Sequence, residues 1–98
     1  LPLVSKIAYT EGVRFVAQQA GAYWLIDHIV SAQLTPSVAA QEFQLWTLEV
    51  KPDQTAVIRC EDGNLTTILS EDIPWTDFPL DEIKFYFTNN RIMLTSEY

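Results

Sequence analysis

Apolar residues in the first third of the chain recur at the three- and four-residue spacing of an amphipathic helix. The first predicted helix follows Thr10, a good N-cap, and ends at Gly21, which readily adopts the left-handed conformation. A second predicted helix spans residues 22–33. The Thr35-Pro36 pair then places proline at the first position of a short helical turn over residues 36–41.

From Phe43 onward the pattern alternates, and β-branched and aromatic residues dominate. It predicts five strands: residues 43–50, 55–60, 65–70 with an extension to 73 left open, 83–88 and 91–95. Asp62-Gly63 and Asn89-Asn90 are strong signals for tight hairpins. Because short turns join antiparallel neighbours, we predict an α+β fold. Two N-terminal helices would pack on a five-stranded antiparallel meander within a single domain, residues 1–98.

The net charge of −7 arises in one window of the sequence. Residues 61–82 contain seven acids and no Lys or Arg, whereas the remaining six acids and six bases cancel. Affinity for DNA or RNA depends largely on Lys and Arg, so the composition argues against direct nucleic-acid binding. It equally disfavours an anionic membrane surface. A protein with a basic surface is the partner that this charge favours.

The loop between Pro74 and Pro79 is unusually apolar for a connecting segment. Its aromatic side chains either fold back over the core or form an exposed anchor ringed by acids. The candidate partner-binding residues are Glu71, Asp72, Trp75, Asp77, Phe78, Asp81 and Glu82. The alternatives are a solvated, charged sheet end or a calcium site, although the spacing matches no EF-hand loop. We expect no metal and no cofactor.

A second hypothesis places a small-ligand or catalytic pocket between the helix of residues 22–33 and the sheet. Its lining would be Tyr23, Trp24, Asp27 and His28. His28 suits proton transfer near neutral pH, but adjacent helix residues point about 100° apart, so it does not naturally meet Asp27. We favour a structural role for Asp27, as a buried hydrogen-bonding anchor. Cys60 has the alternation of an inward-facing strand position and is expected in the core.

Two further expectations concern assembly and location. Trp46, Leu48 and Val50 share one side of their predicted strand, and an exposed face there would make the protein a homo-oligomer. Cys60 is the only cysteine, no stretch reaches about 18 apolar residues, and no signal peptide is visible. We therefore expect a cytoplasmic protein.

Five short motifs resemble a family of small bacterial proteins, also found on mobile elements, that is catalogued as a domain of unknown function. They are Ala22-Tyr23-Trp24-Leu25-Ile26-Asp27, Glu42-Phe43-Gln44-Leu45-Trp46, Cys60-Glu61-Asp62-Gly63-Asn64, Thr76-Asp77-Phe78-Pro79-Leu80 and Ser96-Glu97-Tyr98. Trp75 departs from the resemblance, which implies tyrosine there. The resemblance implies a bacterial, intracellular setting but no activity. The leading hypothesis is a small, acidic, non-enzymatic interaction or regulatory module, one form of which is an inhibitor of a basic protein.

Overall fold

The computed structural model describes residues 7–98. The helices are α1 (Glu11–Ala20), α2 (Tyr23–Ala32) and α3 (Pro36–Ala39). The strands are β1 (Ala8–Tyr9), β2 (Phe43–Val50), β3 (Ala56–Glu61), β4 (Thr67–Ile73), β5 (Glu82–Thr88) and β6 (Arg91–Leu94), followed by a 3₁₀ turn over Thr95–Glu97. Thr10 caps α1 by accepting a hydrogen bond from the Val13 N–H, and Gly21 ends that helix with a φ of 60°. The predicted caps are therefore confirmed.

The sheet is six-stranded and mixed, in the order β1-β6-β5-β2-β3-β4. The α+β class is confirmed, but the five-stranded antiparallel meander is wrong. The parallel pairing of β1 with β6 adds a sixth strand at one edge. Strand β5 pairs with β2 instead of β4, so β2 lies inside the sheet and β4 is left at the opposite edge.

The loop of residues 74–81 makes this strand order possible. It crosses from β4 to β5, a separation of three strand spacings, or about 14 Å. Eight residues can span roughly 26 Å when extended, so the crossing needs no strain. Its ends are fixed to the β2–β3 hairpin, because the Thr76 N–H donates to the Gln54 carbonyl at 2.9 Å and the Val50 N–H donates to the Asp81 carbonyl at 2.7 Å.

The helices cover one face of the sheet, and the core lies between the two layers. α1 contacts β6, and α3 contacts β4. Trp46 and Leu48 are fully buried beneath the helices, with Ile58, Cys60 and Phe85 beside them. The expectation that Trp46, Leu48 and Val50 form an exposed face is therefore wrong, because the helical layer covers that side of β2.

The opposite face of the sheet carries an aromatic cluster. The Phe43 ring centroid lies 5.0 Å from that of Tyr86 and 5.6 Å from that of Tyr98, in tilted and edge arrangements. The C-terminal Tyr98 therefore packs onto the sheet, although most of its surface stays exposed. Such edge-on aromatic contacts stabilise beyond simple burial of area.

Two buried glutamines join the helical layer to the sheet. The side-chain amides of Gln33 and Gln44 exchange two hydrogen bonds, at 2.8 and 2.9 Å. The Gln44 amide also donates to the Val38 carbonyl and accepts from the Trp46 indole N–H, both at 2.9 Å. Because each polar group has a partner, the buried pair avoids the cost of unsatisfied polar atoms.

Glu97 links the 3₁₀ turn over Thr95–Glu97 to the start of α1. Its Oε1 accepts from the Thr10 hydroxyl at 2.6 Å and from the Leu94 N–H at 2.9 Å. Gly12 permits this approach, since a Cβ at that position would lie 2.6 Å from the carboxylate. The Thr10 hydroxyl, followed by the Leu94 and Gly12 N–H groups, lowers the pKa of Glu97 below its ordinary value of 4.5.

We expect the Glu97 contacts to make stability depend on pH. Because the folded pKa is depressed, the contribution is present above pH 4.5 and is lost as pH falls through the lower folded value. Glu97→Gln should therefore lower the free energy of unfolding at pH 7 by less than about 1 kcal/mol, since the site is exposed to solvent. Urea unfolding at pH 7 and pH 3 tests this, and the gap between native protein and variant should narrow at pH 3. A gap that widens at pH 3 would contradict it.

Candidate functional site

Four of the candidate partner-binding residues lie on edge strand β4 and in the loop that follows it. Successive strand residues point to opposite faces. Glu71, opposite Ile58, is on the helix-covered side, and Asp72, opposite Val57, is on the open side. Trp75 and Asp77 follow in the loop and are exposed. We call this group the acidic edge: Glu71, Asp72, Trp75 and Asp77.

Asp81 and Glu82 belong to a second, separate acidic group. Glu82 pairs with Glu49 across β2 and β5, and Glu49 pairs with Val57, which faces Asp72. Asp72 and Glu82 therefore lie in one cross-strand row but three strand spacings apart, about 14 Å. These acids share one end of the sheet but form two groups, because two strands separate β4 from β5.

Phe78 is not available to a partner. Only 5% of its surface is exposed, because the loop turns it into the end of the core. The Phe78 N–H donates to the Thr76 hydroxyl at 3.1 Å, and Thr76 is itself buried. Phe78 must be removed from the candidate contact residues. The interpretation that the loop folds back over the core is confirmed for this residue.

Trp75 behaves differently from Phe78, since 61% of its surface is exposed. Beside it lies a shallow hollow of about 280 Å³ between the start of α2 and the end of β4. The hollow is lined by Gly21, Trp24, Ile73, Trp75, Thr76 and Asp77. Two indole rings and an isoleucine next to a carboxylate form an apolar surface with an acidic border. Such a surface suits a side chain that combines an aliphatic stem with a positive charge.

A second hollow of about 290 Å³ continues along the same helix–strand boundary. His28, Ser31, Ala32 and Thr35 line it from the helical side, and Leu69 and Glu71 line it from β4. The His28 Nε2 lies 3.4 Å from the Glu71 Oε1, and the imidazole packs edge-on against Trp46 with ring centroids 6.4 Å apart. The two hollows together follow the inner side of β4 over most of its length.

The four residues of the alternative pocket do not line a common cavity. Trp24 lines the first hollow and His28 the second, while Tyr23 and Asp27 lie on the exposed side of α2. The expected role of Asp27 as a buried anchor is wrong, because its position on the helix faces solvent. The space between α2 and the centre of the sheet is filled by core side chains.

Cys60 lies in the core as expected and is fully buried. Burial raises the pKa of its thiol to about 12, with smaller contributions from the charges of Glu61 and Asp62. The thiol is therefore protonated at neutral pH and is not an activated nucleophile. Within residues 7–98, no three His, Cys, Asp or Glu side chains are grouped so that they could hold a metal ion.

Sequence reasoning placed Trp24 and His28 at a pocket between α2 and the sheet, but it missed β4 as the other wall of the groove. The residues that form it carry a signal: Trp24 and His28 are four apart on one helix face, and Leu69, Glu71 and Ile73 alternate on one strand face. Neither pattern identifies the other as its neighbour. Only the sheet order, which leaves β4 at an edge below α2, brings the two sets together.

The fold and this site define a two-layer α+β domain with an acidic, groove-bordered edge strand. The chain belongs to a family of unknown function, DUF6876, whose profile covers residues 1–98. No curated protein and no solved structure matches the chain significantly. Over residues 7–98, no helix has both the length and the apolar composition needed to cross a bilayer.

Proposed function

We propose that this protein is a small, acidic, non-enzymatic interaction or regulatory module of the bacterial cytoplasm. The acidic edge would bind a protein with a basic surface. In one form of this proposal it is an inhibitor that places carboxylates in the basic groove of a nucleic-acid enzyme. The resemblance to proteins found on mobile elements motivates that form.

One observation carries the proposal: an exposed tryptophan and three exposed carboxylates lie on an edge strand and the loop that follows it. Binding hot spots are enriched in tryptophan and are surrounded by polar groups that exclude water. Asp77 lines the hollow beside Trp75, and Asp72 lies on the open face of β4 just before the loop. Glu71 adds a carboxylate on the helix-covered side of the same strand. Charge of one sign around an apolar anchor steers a partner of the opposite sign and excludes others.

The separation of the two acidic groups provides a matched test. One variant carries Glu71→Gln, Asp72→Asn and Asp77→Asn. Its control carries Glu49→Gln, Asp81→Asn and Glu82→Gln, which removes the same charge about 14 Å away. Each would serve as bait in a pull-down from bacterial lysate, read by mass spectrometry beside the native protein.

We expect a protein that the native form and the control capture and that the acidic-edge variant loses. Capture should also weaken as salt rises, because a Debye length of about 10 Å at 0.1 M shortens further with added salt. Equal capture by both variants would refute a role for the acidic edge. If only the control variant loses the captured protein, the interface is at the Asp81 and Glu82 group.

A further inference from the structure

Strand β4 presents free backbone hydrogen-bonding groups, and the ladder shows which residues carry them. The Lys51 N–H donates to the Thr55 carbonyl at 2.8 Å and closes the β2–β3 hairpin. Bonded and non-bonded pairs alternate along an antiparallel ladder. Counting from this hairpin, Val57 and Arg59 exchange their backbone hydrogen bonds with β2.

The residues opposite Val57 and Arg59 on β4 are Asp72 and Ser70. Since Val57 and Arg59 are already bonded to β2, Asp72 and Ser70 direct their N–H and C=O groups away from the sheet. Within residues 7–98, β4 has no strand on that side. Exposed edge groups of this kind are a template for an added strand.

From this edge we infer that a basic, extended segment of a partner protein adds to β4 as a further strand. The inference rests on the proposed function and specifies how the acidic edge is used. A residue placed opposite Asp72 would share the open face of the sheet with it, at about 5.5 Å between Cα atoms. Lys or Arg fits that position.

The other side chains of an added strand would point into the groove below α2. There they would meet Leu69 and Ile73 of β4 and the exposed edges of Trp24 and Trp75. Glu71 on that side is already near His28. The inner positions of the partner strand therefore favour apolar residues, so the segment alternates basic and aliphatic side chains.

A second copy of this chain suits the edge poorly. Each copy carries a net charge of −7, and pairing β4 with β4 would bring two acidic edges together. Like charges across neighbouring strands destabilise the pairing. A basic segment would instead be attracted by the carboxylates of the acidic edge. Charge complementarity therefore favours binding of a basic segment over pairing of two copies of this chain.

Ser70→Pro tests strand addition without changing any charge. Its ring removes one outward N–H and leaves the β3–β4 ladder intact, as proline is tolerated at such edge positions. Ser70→Thr keeps the N–H and is the matched control. The probe is a short N-acetylated peptide that alternates lysine and valine, labelled for fluorescence anisotropy, with a glutamate–valine peptide beside it.

We expect the native protein and Ser70→Thr to bind the lysine–valine peptide and reject the glutamate–valine peptide. Ser70→Pro should weaken binding by at least about tenfold. A second readout does not depend on that variant folding: in native protein, the peptide should slow hydrogen exchange of the Ser70 and Asp72 amides. These amides should exchange quickly in its absence.

Three results would overturn the addition of a basic partner strand to β4. Equal binding by Ser70→Pro and native protein, with unprotected amides, would mean that the acids attract the peptide without backbone pairing, and the proposed function would stand. Failure of native protein to bind the lysine–valine peptide at about 1 mM would reject a basic strand as the occupant. A native dimer that Ser70→Pro dissociates would identify a second copy as the occupant. The lysate capture described above decides the proposed function independently of all three.

Discussion

Replacing Gln44 with leucine is expected to lower the free energy of unfolding by about 4 kcal/mol, because each buried polar group left unsatisfied costs about 1–3 kcal/mol. The variant leaves two buried groups without a partner, the Gln33 side-chain carbonyl and the Trp46 indole N–H. Leucine restores apolar burial but offers neither group a hydrogen bond. The Gln33 Nε2 still donates to the Ile29 carbonyl, and the Val38 carbonyl still accepts from the Gln41 N–H. Since small domains unfold with about 5–15 kcal/mol, the loss should be visible as a large fall in the urea midpoint.

Gln18→Leu is the matched control, since Gln18 lies on the exposed face of α1. It should change the free energy of unfolding by no more than about 0.5 kcal/mol. The double variant Gln33→Leu with Gln44→Leu should cost less than the sum of the two single changes, because both remove the same pair. A cost below about 1 kcal/mol for Gln44→Leu would show that the glutamine pair contributes little to stability.

Local patterns in the sequence were sufficient to predict most helices and strands. Thr10 and Gly21 bound α1 through hydrogen-bonding and φ preferences that depend on a few neighbouring residues. Asn89 and Asn90 both adopt positive φ, at 52° and 57°, as a tight two-residue hairpin between β5 and β6 requires. β1 was missed because a pair of residues carries no usable periodicity.

The order of the strands could not be predicted in the same way. A hairpin rule applies where the turn is short, and the loop of residues 74–81 is long enough for β5 to reach either side of the sheet. The burial of the side chains on β4 and β5 decides which of these two strands pairs with β2. Phe85 and Phe87 are buried beside β2, whereas Ser70, Glu71 and Asp72 give β4 the polar character of an edge strand. That contrast was present in the sequence and favours β5 as the inner strand.

The error in strand order also changed the candidate site. With β4 beside β5, the acids at the end of β4 and the start of β5 would have been on neighbouring strands. The observed order places β2 and β3 between them. It also leaves the backbone of β4 free and sets it below Trp24 and His28. Long-range pairing therefore determined both the division of the acids and the groove, and neither follows from local spacing.

Phe78 and Trp75, the two aromatic residues of the loop of residues 74–81, should affect stability by very different amounts when each is changed to alanine. Phe78→Ala removes a side chain that is 5% exposed and should lower the free energy of unfolding by about 3 kcal/mol, as for other buried aromatic residues. Trp75→Ala removes a side chain that is 61% exposed and should cost less than about 1 kcal/mol. Urea unfolding of both variants under one set of conditions measures this difference.

In partner capture, Trp75→Ala should have the larger effect and Phe78→Ala the smaller one, which is the reverse of their effects on stability. Each variant is assayed under conditions in which it remains folded. Trp75→Ala should lose the captured protein, because it removes the apolar anchor of the acidic edge while leaving Asp72 and Asp77 in place. Phe78→Ala should retain capture once corrected for its unfolded fraction, since Phe78 is buried in the core and not presented to a partner. If Trp75→Ala captures the partner as well as native protein does, the exposed tryptophan is not the anchor, and the carboxylates alone would have to account for binding. If Trp75→Ala is as destabilising as Phe78→Ala, both rings support the core.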